Sequence, residues 1–152
     1  MRIFLVGMPA VGKSTFGRKL AQRLNYQFLD LDKWIEQETQ LSINLLFQKY
    51  GESVFRKTEK EMLRNTIDFD NIVIATGGGT PCFFDNMRWI KQNGISIFLD
   101  TSLPLLAERI IRNPHRPLFQ HKKNKQEVLA YLEQLYQARK TFYLQADFRI
   151  TL

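Results

Sequence analysis

The chain has 152 residues, 44% of them hydrophobic and 12% aromatic, which suits one globular domain with a sizeable core and excludes a disordered chain. A single cysteine, Cys82, excludes an internal disulfide and any cysteine-built metal centre, and is read as a small, partly buried apolar side chain. The formal charge of +7 is scattered apart from His121-Lys122-Lys123-Asn124-Lys125, read as a solvated loop, so it favours small anionic ligands over nucleic acid. The apolar amino-terminal run is too short to span a membrane and lacks a signal-peptide cleavage pattern, so the expected setting is the cytoplasm.

In chain order, strands are expected at 3–6, 27–30, 71–76, 96–100 and 148–152. Helices are expected at 13–24, 33–38, 43–50, 52–65, 86–92, 103–111 and 126–144, with Ser42 capping the third and Gly51 stopping it. Near-continuous apolar strands alternating with helices predict a parallel sheet covered on both faces, with ligands at the carboxyl ends of the strands. Each of the first four strand ends carries a candidate: the loop at Gly7, the pair Asp30 and Asp32, the run Gly77-Gly78-Gly79, and Asp100-Thr101. Residues 113–125 break the helical pattern with Pro114, Pro117, two histidines and several cations, and read as a flap that closes over a site. His115 and His121 lack the spacing of metal ligands and are read as exposed.

Behind the first strand, Gly7-Met8-Pro9-Ala10-Val11-Gly12-Lys13-Ser14-Thr15 matches G-x-x-x-x-G-K-[ST] without a mismatch. A polyphosphate wrapped by main-chain N–H groups needs positions without a Cβ, filled here by Gly7 and Gly12. Ala10, Val11, Gly12, Lys13, Ser14 and Thr15 are therefore nucleotide contacts, with Lys13 reaching the β- and γ-phosphates and Ser14 a Mg²⁺ ligand. On an extended strand the spacing of Asp30 and Asp32 puts both carboxylates on one face, one for a metal's water shell and one for an acceptor hydroxyl. The alternative is a plain turn into a helix, with Asp32 as its N-cap. Three consecutive glycines at 77–79 suggest close approach of a ligand to main-chain N–H groups. The forked guanidinium groups of Arg56, Arg116 and Arg139 suit a substrate carboxylate or a transferring phosphoryl group.

This ordered set resembles the shikimate kinases, in the nucleoside-monophosphate-kinase-like branch of P-loop proteins. The resemblance rests on the Gly7–Ser14 loop, Asp30 with Asp32, Phe55-Arg56, Ala75-Thr76-Gly77-Gly78-Gly79, Arg116-Pro117-Leu118 and Arg139 with the aromatics up to Tyr143. It implies a three-layer α/β/α P-loop NTPase fold with five parallel strands in the order 2-3-1-4-5, a substrate segment at about 33–62 and a lid at about 113–125. It implies an ATP- and Mg²⁺-dependent monomer that phosphorylates the 3-hydroxyl of shikimate. Lys13, Asp32 and Arg116 would be catalytic, and Ser14 and Asp30 would hold the metal. Arg109 would stack on adenine, Arg112 assisting, and Arg56, Gly78, Gly79 and Arg139 would join Asp32 in binding shikimate. Rival readings are a kinase of the same fold acting on gluconate or a nucleoside monophosphate, a nucleic-acid-binding P-loop module, and a homologue that binds without turnover.

Two departures from the family pattern stand out. Ala10 takes the place of a third loop glycine, tolerable if it keeps a negative φ. The sequence stops at Leu152, where the family pattern continues through an adenine-contacting loop into a final helix. The expectation is a missing carboxyl-terminal helix, with one sheet face less covered and the adenine pocket partly open.

Overall fold

In the computed structural model, which describes residues 1–113 and 124–152, the first strand β1 (Arg2–Val6) lies at the centre of a five-stranded sheet. The other strands are β2 (Gln27–Asp30), β3 (Ile72–Ala75), β4 (Ile95–Asp100) and β5 (Phe148–Thr151). Every neighbouring pair is parallel and the order is β2-β3-β1-β4-β5, as the resemblance implies. Composition explains the order of burial. Phe4, Leu5 and Val6 of β1 and all four residues of β3 are buried, as strands covered on both faces require. The edge strands β2 and β5 mix apolar with polar residues and are open to solvent in part.

The helices are α1 (Lys13–Leu24), α2 (Leu31–Thr39), α3 (Ile43–Asn65), α4 (Asn86–Asn93), α5 (Leu103–Arg112) and α6 (Lys125–Tyr143). Short 3₁₀ turns lie at Thr66–Asp68 and Thr80–Cys82. Ile35, Leu63, Ile90, Leu106, Leu132 and Tyr143 press on the sheet from these helices with essentially no exposure. Each such side chain contributes about 1.5–3 kcal/mol of burial. No helix among the described residues is long and apolar enough to cross a membrane.

Helix boundaries follow local chemistry. Ser42 caps α3 by accepting from the Leu45 N–H at 3.1 Å, and Asn124 caps α6 by accepting from the Glu127 N–H at 2.9 Å. Gly51 does interrupt α3, at φ 83° and ψ 169°, so the element is two helices meeting at a kink, as expected. The rings of Phe47 and Phe55 meet across the break at 4.8 Å between centroids and hold the halves together. The flap expected at 113–125 falls almost entirely outside the described residues, as do Arg116, His115 and His121.

Candidate active site

The site forms where β1, β2 and β3 end, around a cavity of about 250 Å³ lined among others by Lys13, Ser14, Asp30, Asp32, Gly77 and Gly78. The loop from Gly7 to Gly12 delivers the chain into α1 with Gly12 at φ 100°, a left-handed conformation that glycine accepts without strain. A Cβ at Gly12 would meet nothing within 4 Å, so its open side is room for a ligand. Gly7 answers a different need. A Cβ there would stand 2.5 Å from the Leu99 carbonyl oxygen of β4, so the sheet itself, not a phosphate, excludes a side chain.

Lys13 is buried, and its Nζ donates to the carbonyls of Gly7 at 2.7 Å and Met8 at 2.8 Å. The ammonium is thus held inside the loop it serves. Arg109 of α5 donates from Nη1 to the Val11 carbonyl at 3.1 Å, which fixes the outer side of the same loop. Arg112 ends α5 and is exposed.

Ala10 departs from the expectation of a negative φ: it sits at φ 70°. The tight reversal before Gly12 imposes this, and an L-residue there is strained by about 1–2 kcal/mol. Ala10→Gly would remove the strain and return about 0.4–1 kcal/mol of it through the freer unfolded chain. The expected result is a net gain near 1 kcal/mol, read as a melting temperature roughly 2–4 °C higher. A lower melting temperature would contradict the strain argument.

Asp30 and Asp32 do converge, but not by strand alternation. Asp30 ends β2 and caps α2, accepting from the Lys33 N–H at 3.2 Å, while Asp32 already lies in the first helical turn. The cap is therefore Asp30, not Asp32. The Ser14 hydroxyl donates to Asp30 Oδ2 at 2.6 Å, joining α1 to β2. Asp32 is pushed up to about 6, chiefly by burial, then by the charges of Glu59 and Asp30, with Lys13 opposing.

The glycine run packs against the site's own side chains. A Cβ at Gly77 would stand 2.9 Å from Asp32 Oδ1, one at Gly78 3.1 Å from Arg139 Nη1, and one at Gly79 2.7 Å from both terminal nitrogens of Arg56. The first and last are shorter than a real Cβ contact, and at Gly78 the tight approach of Arg139 is joined by Pro9 Cδ at 2.9 Å. Three consecutive glycines are what allow one carboxylate and two guanidinium groups to gather on a single turn. Burial pushes the nearby Cys82 thiol up to about 11, with Arg139, Arg56 and Lys13 all opposing from close by.

The shikimate kinase family model matches residues 9–152. The chain belongs to the shikimate kinase family. A shikimate kinase from Bacteroides fragilis is 41% identical over 149 residues, covering 97% of this chain and 83% of that protein. One from Persephonella marina is 42% identical over 149 residues, covering 98% and 87%. The Bacteroides thetaiotaomicron shikimate kinase structure superposes with a TM-score of 0.94 at 38% identity, covering 99% of this chain and 86% of the other. The Acinetobacter baumannii shikimate kinase structure, a complex with shikimate, gives 0.88 at 37%, covering 98% and 82%. The activity is accordingly that of an ATP-dependent kinase acting on shikimate.

For a shikimate kinase, two participants, Glu59 and Phe83, escape sequence reading, and Tyr143, noted there only as an aromatic after Arg139, gains a defined contact. Glu59 of α3 is 1% exposed and accepts from Arg56 Nη1 at 2.9 Å, so the arginine is aimed by a buried partner. Arg56 also lies over the Phe83 ring at 4.0 Å. Tyr143, stacked on Phe98 at 5.3 Å, donates its hydroxyl to the Gly78 carbonyl at 2.5 Å and pins the glycine turn to α6 one helical turn beyond Arg139. Burial raises that hydroxyl above its ordinary range, which keeps it a donor. An i, i+3 Arg–Glu pair at positions 56 and 59 was the only available signal for Glu59. Conversely, Asp100 and Thr101 serve the sheet: Asp100 pairs with Arg149 at 2.5 Å, and the Thr101 hydroxyl donates to the Leu152 carbonyl at 3.1 Å.

Proposed function

We propose that the γ-phosphoryl group of ATP passes to the 3-hydroxyl of shikimate in the cleft between the loop at Gly7–Ser14 and the turn at Gly77–Gly79. The observation that carries this reading is the contact of that turn with Asp32, Arg139 and Arg56 together. It sets an acceptor-activating carboxylate beside two carboxylate-binding forks, next to a phosphate loop.

Lys13 and the loop N–H groups of Ala10, Val11, Gly12, Ser14 and Thr15 bind the phosphates, and Arg109, tied to Val11, lies on the adenine side. Arg56 and Arg139 grip the shikimate carboxylate, with Gly78 and Gly79 adding main-chain contacts. Asp32 orients the acceptor hydroxyl and takes its proton; although raised to about 6, it is mostly ionised at neutral pH. Arg116 is assigned to the phosphoryl oxygens from the family resemblance. The hydroxyl of Ser14 and the carboxylate of Asp30, in contact at 2.6 Å, are the hard oxygen donors that Mg²⁺ prefers. No larger cluster of metal-binding side chains occurs among the described residues, which suits an ion completed by water and phosphate. Mg²⁺ would neutralise charge on the β- and γ-phosphates. Residues 1–152 act as one domain, with a substrate segment near 33–62 and a lid near 113–125. Loop, acceptor carboxylate and both forks come from one chain, which suits a monomer working on small molecules in the cytoplasm.

A coupled assay of ADP release tests this reading. Release that depends on shikimate, and is absent with gluconate or nucleoside monophosphates, is expected; equal turnover on those acceptors would refute it. Arg139→Ala should raise the shikimate KM with little change in the ATP KM, since losing one desolvated charged contact costs about 2–5 kcal/mol. An unchanged shikimate KM would remove Arg139 from the carboxylate grip.

A further inference from the structure

Thr80 follows the glycine run directly and is wholly buried. Its hydroxyl donates to Glu59 Oε2 at 2.8 Å, while Glu59 Oε1 accepts from Arg56 Nη1 at 2.9 Å. The main chain of Thr80 is fixed as well: its carbonyl accepts from Asn86 Nδ2 at 2.8 Å, and Asn86 is itself fully buried. The two oxygens of one buried carboxylate are thereby divided between a hydroxyl and a guanidinium.

That division has a chemical consequence. A buried carboxylate left with an unpaired oxygen seeks a second donor, because an unsatisfied charged acceptor is expensive away from water. The other arm of the Arg56 fork sits on the guanidinium already bonded to this carboxylate, and Arg–carboxylate pairs favour the two-point geometry. A two-point pair with Glu59 would take up the arm that a substrate acid needs. By occupying Oε2, Thr80 restricts Glu59 to a single contact with Nη1 and leaves Nη2 facing the Gly79 turn, 2.7 Å from where a Cβ would stand. We propose that Thr80 is a positioning residue for substrate-carboxylate recognition, acting through Glu59 to keep one arm of Arg56 available. This rests on the reading that Arg56 binds the shikimate carboxylate.

The test compares steady-state kinetics of Thr80→Val, Thr80→Ser and Arg56→Ala on shikimate and on its analogue with the carboxylate reduced to a hydroxymethyl group. Thr80→Val keeps the shape and removes the donor. Its shikimate KM should rise roughly tenfold, the scale of one hydrogen bond to a charged group, with kcat and the ATP KM within about twofold. On the reduced analogue it should match the unmodified enzyme, and Thr80→Ser should restore the shikimate KM. Equal losses on both acceptors, an unchanged shikimate KM, or no restoration by serine would overturn the proposal. Should Thr80→Val not fold, Thr80→Ala removes the same hydroxyl without placing a second methyl beside the carboxylate, and the same readings apply. If Arg56→Ala leaves the shikimate KM unchanged, the carboxylate assignment itself fails. If Arg56→Ala raises KM and the Thr80 variants do not, only the role of Thr80 fails.

Discussion

Lys13→Ala is expected to lower kcat in the coupled assay by at least about 10³-fold, the scale of a lost preorganised donor at a site of developing charge. The structure adds a second reason for so large an effect. Lys13 Nζ holds the Gly7 and Met8 carbonyls at 2.7 and 2.8 Å, so its removal also takes a donor from two loop carbonyls and loosens the turn. Lys13→Met separates the two contributions poorly, since it too lacks the donor. Calorimetric ATP affinity separates them well. A slack loop weakens ATP binding, whereas loss of transition-state charge lowers kcat with binding retained. A Lys13→Ala enzyme within tenfold of the original kcat would end the assignment of the loop as the phosphoryl-transfer centre.

Much of this site was legible in the sequence because its geometry is set locally. The loop motif fixes Lys13 and Ser14 relative to a strand end and a helix start, and periodicity places both elements to within a residue. Sheet order is not local; it came from the family resemblance, and the parallel pairings match it. The misreadings share a cause. Strand alternation at Asp30 and Asp32 was the wrong period because α2 begins at Leu31, with Asp30 as its cap. The glycine run has a further demand on its space that no local pattern reveals: Asp32, Arg139 and Arg56, distant in sequence, crowd the positions where side chains would stand. Glu59 carries no mark beyond its i, i+3 spacing from Arg56, because its burial depends on the turn after β3 folding over it. At Ala10 the glycine of the family pattern was the sign, and the φ of 70° shows that the reversal before Gly12 keeps its demand when alanine stands there. Side chains that act through long-range packing leave no pattern at fixed spacing.

Asp32→Asn sets function against stability and should move them in opposite directions. The carboxyl is raised from 3.8 to about 6, so the folded protein holds a proton there more tightly than the unfolded chain. Its contribution to stability is fully present below about pH 3.8 and is lost as pH rises through about 6. At pH 7.5 the carboxylate is charged in both states, and the fold bears the strain of burying it beside Glu59 and Asp30. Asparagine carries no charge, so the variant should be more stable at pH 7.5 by something on the order of 2–3 kcal/mol, or roughly 5–10 °C in Tm. Below pH 4 that advantage should vanish. Turnover should meanwhile fall by about 10²–10⁴-fold, as expected when a general base is removed. In the unmodified enzyme kcat/KM should decline as pH drops through about 6, because protonated Asp32 can no longer accept the hydroxyl proton. Thermal melts of both proteins from pH 4 to 8, with the pH profile of kcat/KM, decide the matter. A variant less stable than the original at pH 7.5 would mean that Asp32 is stabilised by its neighbours there, and that its charge is not the one the fold sacrifices stability to keep.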